Sequence, residues 1–391
     1  MKEKTARLYY IDAMRAWAIL MMLQGHFIDG LLDHVFRDNA DVGYSLWKYF
    51  RGMTAPVFFT VSGFIFTYLL IRSPETGFTN PRVKKGIRRG LELLLVGYLL
   101  RINLMGIIHG EIYASFYLVD VLHCIGLSIL GIIGIYLLVY TKARFLFPTL
   151  LVGITLLLFI FEPHYQNWPY EFLPNAFANY LTKANGSVFT IIPWFGYATF
   201  GAFVSVLFTR YKNYKQLYAT AIPIAVFVGL ALIFYSSDFF MAISQATGIK
   251  LFASIFYNNY LFIRLGDVLI AFAVFMLFRQ WLTNSTLLKI GQSTLSIYII
   301  HFIILYGSFT GLGLYQYLHH SLSPLQVLLG ALLFMIVCSF TALIYEKHKA
   351  QIKTSLRRTF QFVWSTIEPF LKASFIKIRF LLLKLFGLVK N

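Results

Sequence analysis

The sequence predicts an all-α, polytopic integral membrane protein with about ten transmembrane helices and both ends in the cytoplasm. Three observations carry that expectation. Of its 391 residues, 58% are hydrophobic and only 13% charged, with mean hydropathy +0.69, whereas a soluble domain carries about a quarter charged residues. The 40 Phe and 25 Tyr are more apolar side chain than one water-bounded core can hide, so the bilayer has to be the solvent. The chain also divides into apolar runs of bilayer length, and its basic residues alternate between the loops that join them.

The runs fall near 11–32, 53–72, 88–107, 117–140, 145–162, 188–208, 217–235, 261–280, 292–312 and 324–345. The first is interrupted by charge and lacks a small-residue cleavage site, so it reads as a span and not as a removed signal. With the N-terminus inside, 26 of the 34 Lys and Arg fall on cytoplasmic segments, five on the opposite loops, and Arg15, Arg101 and Arg264 within spans. The tail contributes ten of the 26, and without it the split is still 16 to five. Such asymmetry sets membrane orientation. It also explains the net charge of +18 without nucleic acid, because no basic patch is interleaved with polar readout residues. Two domains are expected: a membrane domain over 1–345 and a basic, aromatic tail over 346–391. The tail's "FIKIRFLLLKLFGLVKN" mixes cations with Leu and Phe, as a helix lying in the cytoplasmic interface does. Outer segments 163–187, with Trp168, Pro169 and Pro174, and 236–260 are long enough to cover an outward-facing cavity.

Titratable groups inside spans are costly and mark function. The first run, "YIDAMRAWAILMMLQGHFIDG", holds four: Asp12, Arg15, His26 and Asp29. Arg15 and His26 are eleven residues apart, which places them on one helix face about 16 Å apart along the axis. Asp12 with Arg15, and His26 with Asp29, are i,i+3 neighbours. Asp120 and His123 in "YLVDVLHCIG", Arg264 and Asp267 in "YLFIRLGDVL", Arg101 and Arg51 all fall at outer-half depth. That agreement predicts a hydrated cavity. His26 is the leading candidate for chemistry, since a carboxylate such as Asp29 or Asp120 can orient an imidazole acting as general base. His301 in "SIYIIHFIIL" sits near mid-membrane, and Glu92 lies nearer the cytoplasmic side.

Plainer roles stand beside these. Asp12–Arg15 can simply lock helices, Arg51 and Arg101 can be anchors that snorkel to the interface, and His301 can be a hydrogen-bonded packing residue. Ser62 in "TVSGF" reads as a packing point with Gly63, not a nucleophile. Cys124 and Cys338 sit in apolar runs and suggest neither a disulfide framework nor a metal cluster. The sequence contains no phosphate-binding Gly-rich loop, HExxH, Cys–His metal spacing or GxSxG elbow, so no metal is expected.

These residues carry a resemblance. "YIDAMRAWAILMMLQGH" resembles the first helix of the transmembrane acyltransferase superfamily, marked by an Arg or Lys separated from a His by ten residues, as Arg15 and His26 are. In order, "APVFFTVSGFIFTYLL", "DVLHCIGLSIL", "IPWFGYATFGAF" and "IGQSTLSIYIIH" resemble segments of bacterial proteins related to heparan-α-glucosaminide N-acetyltransferase. One departure is Ala16 after Arg15, where those relatives often have Gly. The likeness covers residues 7 to about 302 and implies an enzyme of the bacterial cytoplasmic membrane. Such an enzyme takes an acetyl group from cytoplasmic acetyl-CoA and passes it to a sugar amine or hydroxyl of a glycan or glycolipid across the bilayer. It implies His26 as the catalytic histidine and Arg15 as the motif cation. Arg51, Arg101, Arg264, Asp267 and His301 are then candidates to bind the acceptor, beside a catalytic set of His26, Asp29, Arg15, Asp120 and His123. The inner run "PRVKKGIRRG" supplies Arg82, Lys84, Lys85, Arg88 and Arg89 for the CoA phosphates, or else serves only as a topology signal. A homodimer is kept open. The rivals are a proton-coupled secondary transporter, against which the chain lacks repeat symmetry and paired broken helices, and an inactive scaffold.

Overall fold

A computed structural model describes residues 8–166 and 168–385; side chains at 356, 360, 362, 363, 370, 371 and 373–385 lie outside the description. The basic residues expected at 2, 4 and 7, and the side chains that would make 375–391 an interfacial helix, are therefore outside it as well. Two compact units divide the chain, residues 1–339 and 340–391.

The described chain is helical throughout. In order come α1 (Tyr9–Leu31), α2 (Val42–Ile71), α3 (Pro81–Leu100), the short α4 (Leu104–Ile108), α5 (Val121–Val139) and α6 (Leu146–Ile160). Then follow the short α7 (Glu162–Tyr165) and α8 (Asn175–Ala178), α9 (Ile191–Tyr211), α10 (Leu217–Thr247), α11 (Lys250–Tyr257) and α12 (Tyr260–Leu277). The last are α13 (Ser285–Gln292), α14 (Thr294–Tyr306), the short α15 (Leu314–Leu318) and α16 (Pro324–Leu385). Several helix starts carry short polar caps, which satisfy N–H groups of the first turn. Asp41 accepts from Tyr44 N at 2.6 Å, Asn80 accepts from Arg82 N ahead of Pro81, and Asp120 with His123 closes a reciprocal box at the start of α5.

Each of the ten expected runs has a helical counterpart, but fewer pass as independent spans. Six described helices are long and apolar enough to cross a membrane: α2, α5 with its leading turn, α9, α10, α12 and α16. The bent pair α13–α14 makes a seventh. Helix α6 is apolar but short, and α1 and α3 are diluted by charge.

Two expectations are corrected. The segment 236–260 is no loop. Helix α10 continues for 31 residues to Thr247 and stops at left-handed Gly248, and α11 follows at once. The run 292–312 is not one helix either. It breaks at Ser293 with a 72° bend, and α14 ends at Tyr306.

Helices α2, α5, α6, α9 and α12 contribute to the buried core, with Phe59, Phe159, Tyr197 and Phe262 at its centre. Helix α10 faces outward: only 11% of its span is buried, against 61% for α2, as expected of a lipid-facing surface.

Candidate active site

The bend at Ser293 seats two helices against α1. Gly291 meets the α1 backbone so closely that a Cβ there would lie 1.9 Å from the Asp12 carbonyl oxygen. Only glycine permits that approach. From this seat α14 runs beside α1 in the same direction. Arg15 Nη2 donates to Thr294 Oγ1 at 3.1 Å near the first ends of both helices. Gln292 Nε2 reaches Asp12 Oδ2 at 3.4 Å, and Arg15 Nη1 lies 3.8 Å from Asp12 Oδ1. About three turns on, His26 Nδ1 lies 3.3 Å from both His301 Nε2 and the Tyr306 hydroxyl. Arg15 and His26 thus share the face that meets α14, as their spacing predicts.

The proton arrangement of the histidine pair follows from its outer hydrogen bond. His301 is fully buried, and its Nδ1 faces the Tyr298 carbonyl oxygen. A carbonyl only accepts, so Nδ1 carries the proton and Nε2 holds a lone pair. That lone pair accepts from His26 Nδ1–H, so the neutral His26 ring has its own lone pair at Nε2. Among the described residues, His26 Nε2 makes no hydrogen bond. The Tyr306 oxygen can share the Nδ1–H and retain its own proton. Left-handed Gly307, φ +69°, ends α14 directly after Tyr306.

The carboxylates have other partners. Asp29 was expected to orient His26, but its Oδ2 is 2.7 Å from Arg51 Nη2. Arg51 in turn lies 5.8 Å over the Trp47 ring, whose Nε1 donates to Gln24. Asp120 holds His123 Nδ1 at 3.0 Å and Arg101 Nε at 3.4 Å. Arg264 donates to Asp267 Oδ2 at 2.8 Å, and the Tyr49 hydroxyl donates to Oδ1. Arg51 and Arg101 are each half of an ion pair. Ser62 Oγ donates to the Phe58 carbonyl and serves packing.

These pairs nonetheless lie around the histidines. Asp29, Arg51 and Asp120 are within electrostatic reach of His26, and Asp29, Arg51 and Arg101 within reach of Tyr306. The structure therefore brings together His26, His301, Asp29, Arg51, Arg101 and Asp120. His123 is buried behind Asp120 with its ring 4.4 Å from Tyr98, and Arg264–Asp267 forms a separate pair against α2. The basic run 82–89 lies toward the opposite end of α3 from Arg101, roughly 18 to 28 Å away by helical rise. Lys84, Lys85 and Arg88 are exposed there, and Arg89 pairs with Glu92. Beyond α1, the Arg37 guanidinium donates to the Asp29 and Leu32 carbonyls and meets His320. Loss of hydration, then Arg37, His319 and His34, lowers the His320 pKa below the ordinary imidazole value, against the raising effect of its contact with the Leu32 carbonyl.

Tyr306, Tyr49, Gln24 and Trp47 are the contributors that the sequence did not reveal. Uncharged, they carry no burial penalty strong enough to stand out in an apolar run. No group of three or more His, Cys, Asp or Glu among the described residues is arranged to hold a metal ion.

The acyltransferase-domain family matches residues 8–344, nearly the whole chain. The chain belongs to that family. It is a membrane acyltransferase, and the matched region runs from the first turn of α1 into α16, enclosing every residue of the site above. No individually curated protein matches this acyltransferase.

Proposed function

We propose that this acyltransferase moves an acetyl group from acetyl-CoA to a hydroxyl or amine of a sugar on the far side of the bilayer, with His26 as the general base. The observation that carries the reading is the His26–His301 contact. It joins two helices at membrane depth and leaves His26 Nε2 as an unbonded base with its tautomer set from behind.

In the reaction, His26 Nε2 takes the proton from the acceptor O–H or N–H as that atom attacks the thioester carbonyl. The resulting imidazolium keeps its Nδ1–H on His301, whose lone pair stabilises it much as a carboxylate would in a triad. The Tyr306 hydroxyl keeps a proton for the developing oxyanion, and Arg51 adds positive charge nearby. Collapse breaks the carbon–sulfur bond. The CoA thiolate recovers the proton from His26, leaving CoA thiol and the acetylated sugar.

Arg82, Lys84, Lys85, Arg88 and Arg89 are the residues suited to the CoA phosphates. The basic-loop asymmetry supports their placement on the cytoplasmic side, and the Arg15–His26 face gives the pantetheine arm a line toward the base. The likeness to bacterial heparan-α-glucosaminide N-acetyltransferase relatives supports an acetyl donor, a sugar acceptor and the bacterial cytoplasmic membrane. His26→Ala should lower acetyl transfer from labelled acetyl-CoA by about a hundredfold or more while the protein remains inserted and folded. Wild-type turnover by that variant would remove His26 from the chemistry.

A further inference from the structure

A groove opens beside the site, on the face formed by α3, α5 and the segment around α8. Its larger arm, about 770 Å³, is apolar and lined by Tyr98, Phe116, Leu127, Leu173 and Phe177. A second arm of about 620 Å³ shares Tyr117 and Ala176 with the first but is lined by Ser115, Asn175, Asn179 and Asn185. A third, about 120 Å³, shares Phe116 with the first and Ile112 with the second, and ends on Arg101. The three adjoin one another at those shared residues.

Two details show what the groove is built to take. Asn179 is 97% buried, and its Nδ2 is spent on the Tyr117 carbonyl, yet its buried Oδ1 has no hydrogen-bond partner among the described residues. With Ser115, Asn175 and Asn185, Asn179 makes the second arm polar, which suits a ligand that brings hydroxyls or amides. The apolar arm ends in Phe177, which is 64% exposed, and runs along Leu127 of the membrane-crossing α5. A water-soluble sugar has no use for that surface, whereas a hydrocarbon chain buries it at roughly 25 cal/mol per Å².

From this polarity gradient we infer that the acceptor is an amphiphile: a saccharide attached to a hydrocarbon chain that enters sideways from the bilayer. The chain lies along Leu127 and Phe177, the sugar lies over Asn175 and Asn179, and the reacting end is directed toward Arg101, which pairs with Asp120. The Tyr98–Tyr180 hydroxyl pair, 2.6 Å apart, lies in the lining of the apolar arm. The inference rests on the acetyl-transfer reading and narrows its acceptor.

The test uses native membranes of the source cells, with the full chain or its His26→Ala variant, incubated with radiolabelled acetyl-CoA and then extracted with organic solvent. His26-dependent label should enter the organic phase, on a molecule that carries both a saccharide and a hydrocarbon chain. Phe177→Asp, at an exposed position, should reduce that label about tenfold at unchanged protein level, the loss of about 1.4 kcal/mol of binding. His26-dependent label on water-soluble or wall-bound glycan alone would overturn the lipid-linked acceptor and leave acetyl transfer standing. Label unaffected by Phe177→Asp would remove the groove from the path. Label independent of His26 in every fraction would overturn the parent reading, and this inference with it.

Discussion

At the scale of single residues, the site turns on which partner each charge chooses. His26 and Asp29 are placed one turn apart, and sequence spacing alone makes them a natural pair. The structure gives Asp29 to Arg51 instead and backs His26 with a neutral histidine. The Asp29 and Arg51 side chains are 44% and 38% exposed, so solvent screens their attraction, and such a pair contributes under about 1 kcal/mol. Asp29→Asn should therefore slow acetyl transfer by less than about tenfold, through a weakened field at His26 alone. Kinetics of the purified variant check this, and a loss as deep as that of His26→Ala would return the carboxylate to the orienting role. The spacing that puts Arg15 and His26 on one face was legible because helical geometry is local. The choice of partner was not, because Arg51, Arg101 and His301 lie on other helices and nothing in the intervening residues encodes which carboxylate each will meet.

At the scale of elements, the break between α13 and α14 builds the site. Its trace in the sequence is the short polar stretch Gly291, Gln292, Ser293 and Thr294, which hydropathy averaging smooths into a span. Helix α10 shows the converse. Ser236, Ser237 and Asp238 lower its hydropathy and suggest a loop, but helical hydrogen bonds continue through them to Thr247, because emerging from hydrocarbon does not by itself end a helix. Gly291→Ala should force α13 away from the Asp12 carbonyl and cost about 1–3 kcal/mol, as overpacking does. A lowered midpoint in thermal unfolding of the solubilised protein is the expected result. An unchanged midpoint would mean the seat has room that the backbone contact denies.

At the scale of the whole chain, composition and the alternation of basic residues suffice to identify a helical membrane protein. The family match over residues 8–344 establishes the acyltransferase class. What neither supplies is the meeting of positions 26 and 301, far apart in sequence and joined only because the first and next-to-last long helical segments run side by side. If these two rings act as one device, removing either disables it, and removing both adds little. The direct measurement is therefore acetyl transfer by His26→Ala, His301→Ala and the double variant, each at equal inserted protein. His301→Ala should lose about a hundredfold, His26→Ala at least as much, and the double variant should be no slower than His26→Ala alone. Losses that multiply, or a His301→Ala variant as fast as wild type, would contradict a base held and tuned by its partner ring.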